Sequence, residues 1–475
     1  MAHVTGECRD QATLFPERLD EVVGDDHPVR VVDAFVAGLE LARLGFSKVA
    51  AEATGRPPYD PGDLLKLYVY GYLNQVRSSR RLEREAQRNV EVMWLINRLA
   101  PAFKTIADFR KDHGPAIVRV CRGFIEFCRR QALLGGEVVA IDGTKIAAVA
   151  SRKQVITPQR LAKQTAAVER KIADYLAALD TADREEPAEA AVTMDVAAAI
   201  AALREQREKL QRQAEELARE GLTQKVVGEP EAKLMRTPHG HEVAYNAQIA
   251  VDAEHHLIVG FDLTNEGNDQ QQLHPMAVQA KEALAADAVT AVADTGYSNG
   301  EHGARCEQDG ITAIVPRQET VNPKGRQYFT RDEFTYDAGT DSWRCPAGET
   351  LTCRRISYQQ QNKEYWSKAC GGCALKAHCT KAAKRTIVRH FYEDAREAMH
   401  RRAVSDPAWM KHRREMAEHP FGTLKWLMGR ARFLVRGLIK AKAELALGVL
   451  SYNLKRAIAV LGVPALLNAL QPLPA

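Results

Sequence analysis

Two aspartates stand beside apolar runs in a way that favours metal chemistry. Asp142 follows the apolar run 137–141, Asp294 follows the apolar run 288–293, and each has a glycine within two residues. An aspartate in such a place is often only a turn or capping residue. We expect both runs to be strands, and strand ends expose functional groups while a nearby glycine lets a ligand approach. The pair therefore predicts a site for a hard cation, which prefers oxygen ligands.

A third carboxylate, Glu418, lies far along the chain in a basic segment. Arg414 precedes it by four residues, or one helical turn, and Lys425 follows it by seven. Arg414 can donate two hydrogen bonds to a phosphate from its planar guanidinium group, and Lys425 can contact a phosphate as a point charge. Pro420 should kink this helix or begin a new one, which would bring Glu418 to a helix end. The alternative is a surface ion pair between Arg414 and Glu418.

Together these motifs resemble the DDE transposases of bacterial insertion sequences, in the group with a Tyr-x2-Arg-x3-Glu-x6-Lys signature. Arg414, Glu418 and Lys425 fall at the Arg, Glu and Lys spacings, whereas Lys411 occupies the tyrosine position. Residues 141–144 (Ile-Asp-Gly-Thr) are similar to the first-aspartate motif, and residues 293–297 (Ala-Asp-Thr-Gly-Tyr) to the second. The region 59–110 is similar to the helical N-terminal domain of many such transposases.

The resemblance implies an activity and its ligands. It implies metal-dependent cleavage of DNA at the terminal inverted repeats of an element and strand transfer into target DNA, by a homodimer in the synaptic complex. Asp142, Asp294 and Glu418 would be catalytic and would bind two Mg2+ ions, for which Mn2+ can substitute. Two such ions can activate the attacking water and stabilise the leaving oxygen. The alternatives are an RNase H-like nuclease that only hydrolyses DNA and an inactive, transposase-derived DNA-binding regulator.

The apolar periodicity changes along the chain from helical to strand-like. After a helical start it gives a strand, a long insertion, a hairpin, a helix, a strand, a helix and a strand, which is the order of an RNase H-like mixed α/β core. We therefore expect a helical N-terminal DNA-binding domain (1–134), a mixed-sheet catalytic core (135–318 and 390–460) with a helical hairpin insertion (158–225), a cysteine-containing insertion (319–389) and a tail (461–475).

Arginine and lysine are concentrated in two parts of the chain. A helix predicted at 61–74 and a second one capped by Ser78 or Ser79 resemble a DNA-contacting helical pair, with a packing or dimerisation domain as the alternative. Residues 400–460 hold 13 basic residues against 4 acidic ones, a stripe that suits a polyanion, with a solvated helix face as the alternative. The basic residues expected to contact DNA are Arg80, Arg81, Arg84, Arg414, Lys425, Arg430, Arg432 and Arg436.

The cysteines cluster late in the chain. Cys370 and Cys373 form a Cys-x2-Cys pair, and Cys345 and Cys379 lie on either side of it. Four thiolates in this pattern predict a tetrahedral structural zinc site, and a reduced cluster without metal is the alternative. We expect residues 340–380 to be loop-like and poor in apolar side chains, so that a metal would keep them ordered.

The composition is that of an ordinary globular protein. The 475 residues are 45% hydrophobic and 27% charged, with a net charge of +5, and no stretch approaches 18 uninterrupted apolar residues. Glu7, Arg9 and Asp10 lie where a signal peptide would need an apolar core. We therefore expect a cytoplasmic protein, and the resemblance implies a bacterial one that is associated with the nucleoid when it binds DNA.

Overall fold

The computed structural model describes residues 18–50, 57–182, 190–238, 240–318, 328–429 and 431–471. Its helices are α1 (Leu19–Val22), α2 (Pro28–Ala37), α3 (Pro61–Leu73), α4 (Ser79–Arg88), α5 (Val90–Leu95), α6 (Phe103–Asp112), α7 (Gly114–Arg130), α8 (Pro158–Ala182), α9 (Ala190–Arg219), α10 (Leu273–Leu284), α11 (Gly300–Gln308), α12 (Glu393–Ser405), α13 (Ala408–Leu427), α14 (Leu438–Leu461) and α15 (Val463–Leu470). Its strands are β1 (Val138–Ala147), β2 (Val155–Ile156), β3 (Lys225–Val226), β4 (Lys233–Thr237), β5 (Gly240–Asp252), β6 (Ile258–Thr264), β7 (Val289–Val292), β8 (Ile311–Ile314), β9 (Thr335–Asp337), β10 (Ser342–Arg344), β11 (Thr350–Ser357), β12 (Asn362–Trp366) and β13 (Ile387–His390).

The two predicted N-terminal helices are α3 and α4. Asp60 caps α3 by accepting a hydrogen bond from the backbone N–H of Gly62 (2.7 Å), and Pro61 fills the first helical position, where no N–H is needed. In α4, Leu82 and Ala86 are buried. The opposite side of α4 exposes Arg80, Arg81 and Arg84, which the sequence singled out, and also Arg88.

A mixed six-stranded sheet forms the centre of the molecule. Its strands follow the order β4-β5-β1-β7-β8, and β6 also pairs with β5. β5 is antiparallel to β1 and β6, whereas β7 and β8 continue the sheet parallel to β1. This arrangement is a mixed α/β fold, because helices pack against a sheet that contains both parallel and antiparallel pairs.

The predicted helical insertion leaves the sheet after β1. The antiparallel pair β2–β3 forms its base, and the long helices α8 and α9 pack against each other. Their contact is a separate small core that includes Leu161, Val168, Leu210 and Leu217. The insertion therefore has its own apolar interior.

The cysteine-containing segment is not loop-like, contrary to the sequence prediction. It forms an antiparallel five-stranded sheet in the order β13-β12-β11-β10-β9. Trp343, Leu351, Tyr365 and Ile387 are buried in a core that belongs to this sheet. The prediction was wrong because these few apolar residues come from different strands and meet only when the sheet forms.

Helix α13 continues past Pro420, so the prediction that a new helix begins there is wrong. A proline inside a helix loses one backbone hydrogen bond and crowds the preceding turn. Pro420, Phe421 and Leu424 are nevertheless buried together on one side of α13, and this packing favours an uninterrupted helix. Glu418 consequently lies within α13 rather than at its end.

The N-terminal helices and the central sheet share one hydrophobic core. A buried ion pair joins Arg77, just before α4, to Glu444 of α14, with 3.1 Å between Nη1 and Oε1. The predicted tail contains α15, which packs near α2 and buries Leu466. Within the described ranges no single helix has the length and apolarity of a membrane span, and α14 with α15, bent by 112°, meets that criterion only as a pair.

Candidate active site

Asp142 lies within β1 and not at its end, which corrects the sequence prediction. β5 pairs with β1 as far as Ala147, whereas the parallel partner β7 pairs only as far as Ala140. β1 therefore continues beyond Ala140 because β5 supplies its hydrogen bonds. Among the described residues, no strand pairs with the other edge of β1 beside Asp142. The Asp142 carboxylate accepts a hydrogen bond from the N–H of Gly143 (2.8 Å).

Asp294 follows β7 and begins the short turn 295–297. Its carboxylate accepts a hydrogen bond from the N–H of Gly296 (2.8 Å) and thereby caps this turn. The capping role is thus present in the structure. It uses one carboxylate oxygen, Oδ1, whereas the second oxygen, Oδ2, faces the guanidinium group of Arg413.

Arg413 brings the two aspartates together. Its Nη2 lies 2.8 Å from Asp142 Oδ1 and 3.4 Å from Asp294 Oδ2, and the arginine side chain is only 14% exposed. Arg413 belongs to α13, which packs against β1 and β7. Residues from three distant parts of the chain therefore meet at one place. The signature spacing had indicated the neighbouring Arg414, which is exposed.

The site is rich in negative charge for its degree of burial. Burial raises the pKa of Asp142 to about 6, because the opposing attraction of Arg413 does not fully compensate, and the charges of Asp294 and Asp269 add to the rise. Among the described residues, no three His, Cys, Asp or Glu side chains are arranged so that they could hold a metal ion. The donor chemistry nevertheless fits a hard cation, since two aspartate oxygens converge on a positive group.

Glu418 is not in contact with either aspartate. Its side chain is exposed on α13 and forms no hydrogen bond or ion pair with the part of the chain that the structure describes. Glu415, on the same helix, is also exposed, and among the described residues it is paired only with Lys411, at 3.9 Å. The assignment of Glu418 as the third catalytic carboxylate therefore remains a prediction from the motif spacing.

The predicted DNA-contacting residues differ in whether their side chains already form bonds within the protein. Arg432 donates a hydrogen bond to the carbonyl of Ala148 (2.8 Å), and Lys442 of the basic stripe is paired with Asp262 at 2.6 Å. Arg430 lies outside the described residues. The side chains of Arg80, Arg81, Arg84, Arg414, Lys425 and Arg436 are exposed.

Four polar residues beside the aspartates were missed by sequence reasoning. Asp269 accepts hydrogen bonds from Asn246 Nδ2 (2.7 Å) and Gln248 Nε2 (2.8 Å), and Lys145 Nζ lies 3.4 Å from the same oxygen. The available signal was the pair Asn246 and Gln248, two polar residues on one face of an otherwise buried strand. Asp269 carries no local signal, and its partners are distant in sequence.

The cysteines chosen as zinc ligands line one cavity. Cys345, Cys370, Cys373 and Cys379 surround it together with apolar neighbours such as Phe329. Burial and the three other thiols raise the pKa of Cys379. As at the aspartates, no three of these described side chains are already arranged around a metal position. Cys353 is not among the residues that line this cavity.

Two family models match the chain. Residues 17–112 match a model described as "Transposase domain (DUF772)", and residues 344–458 match one described as "Transposase DDE domain". The second range contains Glu418, whereas Asp142 and Asp294 lie between the two ranges. No curated protein and no solved structure matches the chain. The two matches lie at opposite ends of the chain and support a DDE transposase of an insertion element, the class that the sequence motifs predicted.

Proposed function

We propose that this transposase cleaves DNA at the terminal inverted repeats of its element and joins the cut ends to target DNA, using divalent metal ions. The observation that carries the proposal is the convergence of Asp142 and Asp294 on Arg413 (2.8 and 3.4 Å). The strands β6, β5, β1, β7 and β8 lie side by side in this order, and β5 runs in the direction opposite to the other four. This arrangement supports an RNase H-like core.

Asp142 and Asp294 are the residues that would hold Mg2+ or Mn2+, with Glu418 as the proposed third ligand. The bound ions would activate a nucleophile and stabilise the leaving oxygen of a phosphodiester. In the protein itself, Arg413 neutralises part of the charge on the two aspartates. Its remaining N–H groups give it the capacity to contact a DNA phosphate beside them.

The exposed basic residues support a DNA-binding role. Arg414 and Lys425 lie on α13, the helix that carries Arg413, and Arg436 lies just before α14. The arginines of α4 form a second basic face. Lysine and arginine contacts to phosphates give affinity that does not depend on base sequence, so these residues would hold DNA rather than select the inverted repeat.

The assignment of Glu418 is tested against Glu415, because both are exposed glutamates on the same helix. Glu418→Gln preserves size and polarity but removes the charge that a cation needs. We expect it to abolish cleavage and strand transfer while binding to the element ends persists, and we expect Glu415→Gln to retain most activity. An inactive Glu415→Gln variant together with an active Glu418→Gln variant would show that the motif alignment is wrong.

A further inference from the structure

Asp269 is the centre of a partly buried polar network that adjoins both aspartates. Its Oδ1 accepts hydrogen bonds from the amides of Asn246 (2.7 Å) and Gln248 (2.8 Å), and it pairs with Lys145 at 3.4 Å. Asn246 and Gln248 are fully buried. Because a buried amide without a partner is costly, these two side chains fix the position of the Asp269 carboxylate, and it fixes theirs.

Gln248 connects this network to the turn that carries Asp294. The hydroxyl of Tyr297 donates a hydrogen bond to Gln248 Oε1, while Gln248 Nε2 donates to Asp269. The backbone N–H of Tyr297 in turn donates to the carbonyl of Asp294 (3.1 Å). A chain of hydrogen bonds therefore extends from Asp269 to the turn that sets the direction of the Asp294 side chain.

The same network touches β1 beside Asp142. Gln248 is the register partner of Gly143, the residue that follows Asp142. A Cβ atom at position 143 would lie 2.9 Å from Asp269 Oδ1 and 3.0 Å from the Tyr297 hydroxyl, and it would also collide with the Gln248 amide. The three polar groups thus meet over a point of β1 where only glycine leaves enough room.

We propose that Asp269 is a positioning residue that holds the Asp142 and Asp294 carboxylates in the relative arrangement that a divalent cation needs. This inference rests on the proposed function, since it takes the two aspartates to be metal ligands. Partners of metal ligands commonly act in this way, and replacing one typically lowers metal affinity or activity by about 10- to 100-fold. Asp269 acts on Asp294 through Gln248 and Tyr297. It acts on Asp142 through its close approach to Gly143, the next residue of β1.

The test measures Mn2+ binding to the full-length protein by electron paramagnetic resonance, without DNA. For Asp269→Asn we expect Mn2+ affinity about 10- to 100-fold weaker than wild type, with DNA-binding affinity unchanged and cleavage partly restored at high Mn2+. The matched control is Asp341→Asn, because Asp341 also accepts hydrogen bonds from three donors, Tyr336 and Tyr365 (2.7 Å each) and Lys363 (2.8 Å), but in the other sheet. This control should lower stability without changing Mn2+ affinity.

Two further variants keep the inference falsifiable. Tyr297→Phe removes only the hydroxyl at the far end of the network, so it tests the same path if Asp269→Asn fails to fold, and it should also weaken Mn2+ binding. Unchanged Mn2+ affinity in a folded Asp269→Asn or Tyr297→Phe protein would overturn the positioning role alone, provided that Asp142→Asn weakens binding. Mn2+ affinity unaffected by Asp142→Asn would overturn the proposed metal site and the positioning role with it.

Discussion

The ionised form of Asp142 is disfavoured by its surroundings. Its side chain is only 21% exposed, and the nearby charges of Asp294 and Asp269 add to the effect of burial. Arg413 offsets only part of this, so the pKa of Asp142 rises from 3.8 to about 6. A carboxyl group whose pKa is shifted by burial and by neighbouring charges is typical of functional sites.

This shift gives a stability prediction that does not depend on an activity assay. Ionising Asp142 in the folded protein costs stability progressively between about pH 4 and pH 6, and the full cost above pH 6 is about 3 kcal/mol. The side-chain amide of the Asp142→Asn variant does not ionise, so this cost is absent from it. In metal-free buffer the variant should match wild type near pH 4 and become more stable than wild type by pH 8.

Urea unfolding of both proteins in EDTA at pH 4, 5, 6 and 8 measures this difference. The contribution of Asp142 to stability falls with rising pH because the folded state binds the Asp142 proton more tightly than the unfolded state does. A difference between the two proteins that stays constant from pH 4 to pH 8 would contradict the environment described for Asp142.

The residues of the site were predictable only in part. Asp142 and Asp294 were found because each follows an apolar run and has a glycine nearby. Arg413 was missed, since the signature spacing indicates its neighbour and nothing local shows which arginine faces the sheet. Asp269 was missed because its role comes from contacts with β5, which are made only when the two segments are folded together.

Among the elements, the cysteine-containing sheet departs most from its sequence prediction. Strand alternation in 335–390 is obscured by turns and by charged residues on the exposed faces, so the small core of β9–β13 is hard to recognise. The predicted clustering of four cysteines agrees with the structure, because all four line the same cavity. The sheet has a core of its own, so a zinc ion would add to that core rather than replace it.

We expect one structural zinc ion per chain in protein purified without chelator. Cys373→Ser should release it, because Cys373 lines the cavity. Cys353→Ser is the matched control, since Cys353 belongs to the same sheet but does not line the cavity and should leave the zinc content unchanged. Metal analysis by mass spectrometry measures the zinc content of the native protein and of both variants. Native protein without zinc would leave a reduced cysteine cluster, and equal loss in both variants would contradict the assignment of the four cavity cysteines as the zinc ligands.

At the scale of the whole molecule, the two ends of the chain are parts of one structure. Arg77 precedes α4, Glu444 lies in α14, and their buried ion pair joins the two segments that match the family models. Glu444 also accepts a hydrogen bond from the N–H of Leu434 (2.8 Å). The sequence predicted the helices, but it could not predict that charged residues so far apart would meet in the core.

Removing one member of this pair should destabilise the whole protein. Glu444→Gln leaves the Arg77 guanidinium buried without a counter-charge, and losses of this kind are about 3–5 kcal/mol. Glu301→Gln breaks the more exposed pair with Arg305 and should cost less than about 1 kcal/mol. Urea unfolding measures both. A Glu444→Gln protein as stable as the Glu301→Gln protein would show that the two ends are not coupled through this contact.

The basic surface is tested by the salt dependence of DNA binding. Each phosphate contact adds about 0.9 to the negative slope of log affinity against log salt concentration for duplex DNA. Lys425→Gln combined with Arg436→Gln should therefore flatten the slope by about 2. Lys442→Gln is the control, because Lys442 is already paired with Asp262 at 2.6 Å. An unchanged slope in the double variant would exclude these residues as phosphate contacts.

The central claim, that the Asp142–Asp294 site both cuts and joins DNA, is tested most directly by strand transfer from pre-cleaved ends. The donor is a duplex ending in the inverted repeat that flanks the gene, with a free 3′-OH, and the target is a supercoiled plasmid in Mg2+ or Mn2+. Wild type should join donor to plasmid, while Asp142→Asn and Asp294→Asn should bind the donor without joining it. Joining by either variant, or a wild type that hydrolyses DNA but never joins it, would contradict the account.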